Sequence, residues 1–182
     1  DFCLALVGLI IAAIPMAIVA VAIKAESKGP VIFKQDRIGY KGKVYKMYKF
    51  RSMCVGAEKG GVYSDNKDSR VTKVGKFIRA TSIDELPQLV NVLKGDMSLI
   101  GPRPERPQFV EKFREEIPRY MVKHQVRPGM TGWAQVNGYR GDTSIRGRID
   151  HDLYYIENWT VGLDIKILFL TVFRGLVDKN AY

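Results

Sequence analysis

Phe2 to Ile23 is a run of 22 residues without a single charge. As a straight helix it would measure roughly 33 Å, about the depth of a bilayer core. Pro15 interrupts it. A proline inside a helix removes one backbone hydrogen bond and crowds the preceding turn. It divides the run into 13 and 9 residues, and neither piece crosses a membrane alone. Two topologies follow. A kinked helix crosses the bilayer, the reading hydropathy alone favours, or a broken helix enters one leaflet and returns to the same side. A secretory signal does not fit, because no basic region precedes the run and no small-residue cleavage site is evident. The start at Asp1 reads as the start of a C-terminal fragment of a longer chain.

Charge gives the apolar run an orientation. The 182 residues, one domain by length, carry a net charge of +10. Residues 24–79 alone hold 15 Lys+Arg against 5 Asp+Glu, and the remaining residues are balanced. The whole excess therefore follows the apolar run directly. Such a flank marks the cytoplasmic side and favours anionic lipid. Polycations also bind nucleic acid, and tyrosines interleave the basic stretch, so a membrane-tethered nucleic-acid-binding module is the alternative reading. No recognised nucleic-acid motif supports it. At 46% hydrophobic residues the chain has enough for a packed core. Two cysteines and two isolated histidines exclude a disulfide scaffold and give no zinc signature. The GxGxxG, P-loop and GxSxG patterns are missing as well.

Beyond the membrane segment the pattern is α+β and mostly helical. Val31 to Phe33 and Lys43 to Phe50 read as two strands of a small hairpin. Residues 56–70 are polar and glycine-containing, a loop. Leu86, Leu89, Val90 and Leu93 keep helical spacing, with Pro87 in the first turn and Gly95 as the stop. Ser82-Ile83-Asp84-Glu85 has the spacing of a capping box. Gly101-Pro102-Arg103-Pro104 cannot be regular structure. Phe109, Val110, Phe113 and Ile117 mark a second amphipathic helix, and residues 127–141 an irregular glycine-rich stretch. A helix through Ile149–Ile156 and an interfacial helix from Val161 to Val177 complete the chain.

Asp84 and Glu85 are the first candidates for chemistry. Adjacent carboxylates hold Mg²⁺, and one of them attacks phosphorus in covalent phosphoryl chemistry. Acids at a helix start also simply complement its dipole, and spacing alone favours that reading. Lys49 and Arg51 share one strand face, a pairing that suits a diphosphate or a solvated basic surface. Arg79 and Arg103 would add charge to balance a polyanion. The stretch Gly129–Gly138 lets backbone approach a ligand closely or forms an ordinary surface loop.

At this point longer motifs line up. Gly29-Pro30-Val31-Ile32-Phe33, Gln35-Asp36-Arg37-Ile38-Gly39, Tyr48-Lys49-Phe50-Arg51-Ser52-Met53 and Arg79 through Leu89 occur in order. Gly95 through Pro104 and Pro128 through Gly138 follow. Together they resemble the bacterial sugar transferase family, the monotopic phosphoglycosyl transferases. The segments Tyr154–Trp159 and Ala181-Tyr182 resemble the subgroup that starts exopolysaccharide repeat units, the undecaprenyl-phosphate glucose phosphotransferases.

The resemblance implies transfer of a sugar 1-phosphate from a UDP-sugar to undecaprenyl phosphate, releasing UMP. Glucose is the first choice, with galactose and N-acetylated sugars behind it. It implies Asp84 as nucleophile, a covalent phosphosugar intermediate, and Glu85 with Asp84 holding Mg²⁺. Arg79 would contact phosphate by family analogy. Lys49, Arg51, Arg103, Gln135, Asn137 and Arg140 are the further substrate-binding candidates. The resemblance also implies that residues 1–23 form a re-entrant helix broken at Pro15, although Ile14 stands where some members have serine. Residues 24–182 would be a catalytic domain on the cytoplasmic face of the bacterial inner membrane, contacting anionic lipid and no nucleic acid. A homo-oligomer is compatible with this.

Overall fold

The computed structural model describes residues 1–57, 68–140 and 143–177. Helix α1, Phe2–Glu26, is one helical run with Pro15 inside it. The expected interruption at Pro15 is absent, and the helix continues three residues past Ile23. Pro15 and Ile11, the residue whose carbonyl loses its partner, both lie on the exposed side. The opposite side is a buried stripe of Ala5, Ala12, Val19 and Ile23. Its spacing of three to four residues and their multiples fits one helix face along the whole length. The first half packs with Met47, Leu89, Val92 and Met97. The second half packs with Phe50 and Ile78. One stripe of the apolar segment is thus part of the domain's own core.

Both ends of α1 are tied to that same body. Asp1 accepts from Ser98 Oγ at 2.8 Å and from the Leu99 amide at 3.1 Å. The Glu26 carboxylate accepts from the Lys73 and Val74 amides at 2.7 and 3.1 Å. These amides open helix α2, Lys73–Ala80, whose first N–H groups have no partner within the helix.

The hairpin is longer than expected. Strands β1, Ile32–Ile38, and β2, Val44–Phe50, pair antiparallel from Ile32↔Phe50 to Ile38↔Val44. Helix α3, Gln88–Leu93, lies against β2. Asn91, fully buried, fastens the two: its Oδ1 accepts from the Tyr48 amide at 3.0 Å and its Nδ2 donates to the Lys46 carbonyl at 2.8 Å.

The stretch 127–141 departs from the irregular loop expected of it. Its described part contains strand β4, Gly129–Thr131, and the short helix α5, Trp133–Val136. β4 runs parallel to β3, Ser98–Ile100, in the register Ser98↔Gly129 and Ile100↔Thr131. A Cβ on Gly129 would lie 2.1 Å from the Gly101 amide nitrogen, and one on Gly132 2.1 Å from the Gly101 carbonyl oxygen. Here the glycines let backbone meet backbone.

Helices α4, Pro107–Glu116, α6, Ile145–Glu157, and α7, Val161–Val177, match the periodicity in the sequence. α4 and α6 close a core on Tyr120 and Ile149, and α7 closes another on Ile167. Two apolar faces remain outside. On α1 they are Phe2, Leu6, Ile10, Ile14, Ile18 and Val21, and on α7 Val161, Ile165, Phe169, Val172 and Phe173. Most of the polar stretch 56–70 and the Ala181-Tyr182 end lie outside the described residues.

Candidate active site

Asp84 and Glu85 sit in a single 3₁₀ turn, Ile83–Glu85, directly ahead of α3. The capping box expected from spacing does not form. Ser82 takes a left-handed conformation, φ +55°, and its side chain makes no cap. An N-cap residue needs an extended backbone. The Glu85 side chain, which a capping box would turn back toward Ser82, reaches across to β2 instead. Lys49 Nζ donates to Glu85 Oε1 at 2.6 Å, with both side chains about 85% buried. The Asn91 clamp between α3 and β2 brings these two elements into contact. A residue in left-handed backbone without glycine's freedom carries a strain of about 1–3 kcal/mol, and here it directs the acid pair inward.

Further cations converge on the pair. Arg103, from the loop after β3, has Nη2 3.5 Å from Glu85 Oε1. Arg79, in the last turn of α2, donates through Nε to Ser52 Oγ at 2.8 Å. Its charge acts on Asp84, and that of Arg140 acts on Glu85. Lys49 and Arg103 thus contact the Glu85 carboxylate, and Arg79 and Arg140 act on the pair through their charge.

The two carboxylates differ. Burial pushes the Asp84 carboxyl up, to about 6; Lys49, Arg79 and Arg103 pull it down, and the neighbouring Glu85 charge adds to the rise. Burial also raises Glu85, but Lys49, Arg103 and Arg140 outweigh it and hold that carboxyl well below the usual range. Glu85 is thus an anion held by cations. Asp84 is 4% exposed, and its buried Oδ1 accepts no hydrogen bond among the described residues.

An orphaned buried carboxylate oxygen is costly unless something binds it. Together with Glu85 it offers hard oxygen donors to a small divalent cation, which completes its shell with substrate phosphates and water. No group of three or more His, Cys, Asp or Glu gathers among the described residues. The residues present therefore fit a Mg²⁺ ion shared with substrate and not one caged by protein.

Three predicted residues have no hydrogen bond or ion pair to the acid pair among the interactions described. Arg51 follows the last residue of β2 and turns toward α1. It donates from Nη1 to the Lys28 carbonyl at 2.7 Å and from Nη2 to the Ser27 carbonyl at 2.8 Å. It closes the exit of the apolar helix, where carbonyls lack partners. Gln135 is 3% exposed in α5, with both amide atoms unpaired among the described residues. Asn137 Nδ2 donates to the Trp133 carbonyl at 2.7 Å. Sequence reasoning missed Ser52, Ser82 and Asn91. Ser52 stood inside a longer motif and Ser82 was read as a cap, so their roles were missed and not their positions, while Asn91 showed only as a polar residue among the apolar positions of α3.

Comparison with known proteins gives the family. The family model for the bacterial sugar transferases matches residues 1–178. A UDP-glucose:undecaprenyl-phosphate glucose-1-phosphate transferase of Klebsiella pneumoniae is 52% identical over 172 residues, 92% of this chain and 37% of its own length. The protein of the same description from Escherichia coli K12 is 49% identical over 187 residues, 100% of this chain and 40% of its own. A UDP-N-acetylgalactosamine-undecaprenyl-phosphate N-acetylgalactosaminephosphotransferase of Aeromonas hydrophila is 54% identical over 160 residues, 86% of this chain and 38% of its own. The chain spans about two fifths of the length of these relatives. With its acid pair, its ring of cations and a match running almost from end to end, the chain belongs to the bacterial sugar transferase family.

Proposed function

We propose that this chain transfers glucose 1-phosphate from UDP-glucose to undecaprenyl phosphate, giving undecaprenyl-diphospho-glucose and UMP. One observation carries the reading: a buried aspartate whose Oδ1 accepts no hydrogen bond among the described residues, beside a glutamate held by Lys49 and Arg103. Two substrates bearing phosphate would meet those cations there. The names of the relatives supply the substrate class.

In the proposed mechanism an Asp84 oxygen attacks the sugar-bearing phosphorus of UDP-glucose. A phosphorus–oxygen bond to Asp84 forms and the bond to the UMP oxygen breaks, so UMP leaves with that electron pair. A phosphate oxygen of undecaprenyl phosphate then attacks the same phosphorus and releases the Asp84 carboxylate. Lys49, Arg79, Arg103 and Arg140 lower the repulsion between one anion and another and stabilise charge in the transition state. Glu85, kept ionised by its cations, would hold Mg²⁺ with Asp84. That ion supplies Lewis-acid neutralisation of phosphate charge when bound.

The membrane reading follows from the two outer apolar faces. α1 and α7 would rest in the cytoplasmic leaflet of the inner membrane, with basic residues at the headgroups. Because both ends of α1 return to one body, the monotopic arrangement is the one proposed, not a crossing helix. N-acetylgalactosamine 1-phosphate is the second reading for the donor, favoured by the Aeromonas relative. A panel of UDP-sugars with undecaprenyl phosphate and Mg²⁺, followed by UMP release, tests the proposal. UDP-glucose should give the fastest release and Asp84→Asn none. Release at the wild-type rate by that variant would remove Asp84 as nucleophile.

A further inference from the structure

The loop that presents Arg103 to Glu85 is held at every other residue. The Gly101 amide donates to the Thr131 carbonyl at 2.9 Å, and the Pro102 carbonyl accepts from the Gly129 amide at 2.9 Å. The Pro104 carbonyl accepts from Arg37 Nη1 at 3.0 Å, and the Glu105 carbonyl from the Ile38 amide at 3.0 Å. Backbone grips from β4 and β1 thus fix both flanks of Arg103, and the two prolines limit its φ/ψ freedom.

The Glu105 side chain adds a fifth grip of another kind. Its Oε1 accepts from Arg148 Nη1 at 2.8 Å, with both side chains at least 90% buried. Arg148 lies on α6, and one turn further along stands Asp152, paired with Lys123 at 2.9 Å and almost wholly buried. Lys123 also acts on Glu105. Buried ion pairs are poor sources of net stability, because desolvation offsets their attraction. What they do supply is direction. An unmatched charge in that interior is costly, so the chain carrying Glu105 has few alternative positions.

We propose that Glu105 and Arg148, backed by Lys123 and Asp152, are positioning residues that set the Arg103 guanidinium on the Glu85 side of the site. This rests on the transferase reading for its activity readout, but the positioning itself is a statement about Arg103. Glu105→Gln keeps the shape and an acceptor for Arg148 while removing the charge. In a double-mutant cycle it should lower kcat/KM for UDP-glucose about tenfold in the wild-type background. It should have little effect in the Arg103→Ala background, because the residue it positions is gone. An equal loss in both backgrounds, or none in the first, would overturn the proposal. A second readout needs no turnover. Arg103 modification by phenylglyoxal, mapped by peptide mass, should be faster in Glu105→Gln than in wild type at a temperature where both are folded. Unchanged modification overturns the positioning role whatever the activity. Absence of UMP release from the wild-type protein would sink the transferase reading and leave the phenylglyoxal rates to decide the positioning.

Discussion

Two clusters of opposite charges lie on either side of Arg103, and they are built differently. Around Asp84 and Glu85, four cations face two carboxylates, and one carboxylate oxygen has no partner among the described residues. Around Glu105 and Asp152 the ion pairs run to Arg148 at 2.8 Å and Lys123 at 2.9 Å, and Lys123 and Arg37 also act on Glu105. The first cluster's cations reach solvent, with the Lys49 side chain 16% and Arg103 26% exposed. The second is sealed, with Lys123 2% and Asp152 1% exposed. The exposure of the cations and the Asp84 oxygen separate the site from the support: Asp84 Oδ1 has no partner among the described residues, whereas Asp152 Oδ2 has Lys123 at 2.9 Å.

That comparison breaks most sharply in the sealed cluster. Lys123→Met leaves Asp152 buried without its partner, and the fold should lose about 3–5 kcal/mol. The companion Lys49→Met should cost far less stability, because other cations already serve Glu85, yet it should lower UMP release by at least tenfold. Chemical denaturation of the two variants beside the wild type checks this. Equal stability losses would mean that the clusters are equivalent.

Asp84 should show the reverse sign. Its native carboxyl is raised by burial to about 6, from 3.8 when unperturbed. The folded state therefore holds that proton more tightly than the unfolded chain, and ionisation destabilises the fold as pH rises through this interval. Asp84→Asn removes the penalty. It should stabilise by about 1–3 kcal/mol above pH 6, with the gain vanishing as pH falls toward 3.8. Unfolding midpoints across that range decide it, and a stability loss at neutral pH would contradict the account.

The smallest effect concerns Arg51. Its two-pronged hold on the Ser27 and Lys28 carbonyls needs a planar fork. Arg51→Lys should cost about 1–2 kcal/mol and change the KM for UDP-glucose less than twofold. A large rise in KM at unchanged stability would return Arg51 to the phosphate-binding set.

Lys49 and Arg51 also show where reading the sequence stops. They share a strand face by spacing, yet β2 ends between them and each serves a different partner. Lys49 meets an acid that its family motif already singles out. Arg51 meets carbonyls at the end of a helix more than twenty residues earlier, which no local pattern announces. The long helices were legible because their apolar periods are long. The strands β3 and β4 were not, since three residues each carry no period and their pairing joins distant segments. Ser82 misled because Ser-x-x-Glu spacing describes a capping box and says nothing of a left-handed backbone at its first residue. The acid pair itself was visible as residues, while its burial and its contacts with Lys49 and Arg103 belong to the fold.

The central claim is that Asp84 attacks phosphorus. The most direct measurement is intact mass of the protein incubated with UDP-glucose and Mg²⁺ and no undecaprenyl phosphate. A phosphoglucose adduct mapped to Asp84, appearing with one equivalent of UMP and discharged by undecaprenyl phosphate, is the predicted result. UMP appearing only when both substrates are present, with no adduct trapped on rapid quenching, would contradict it.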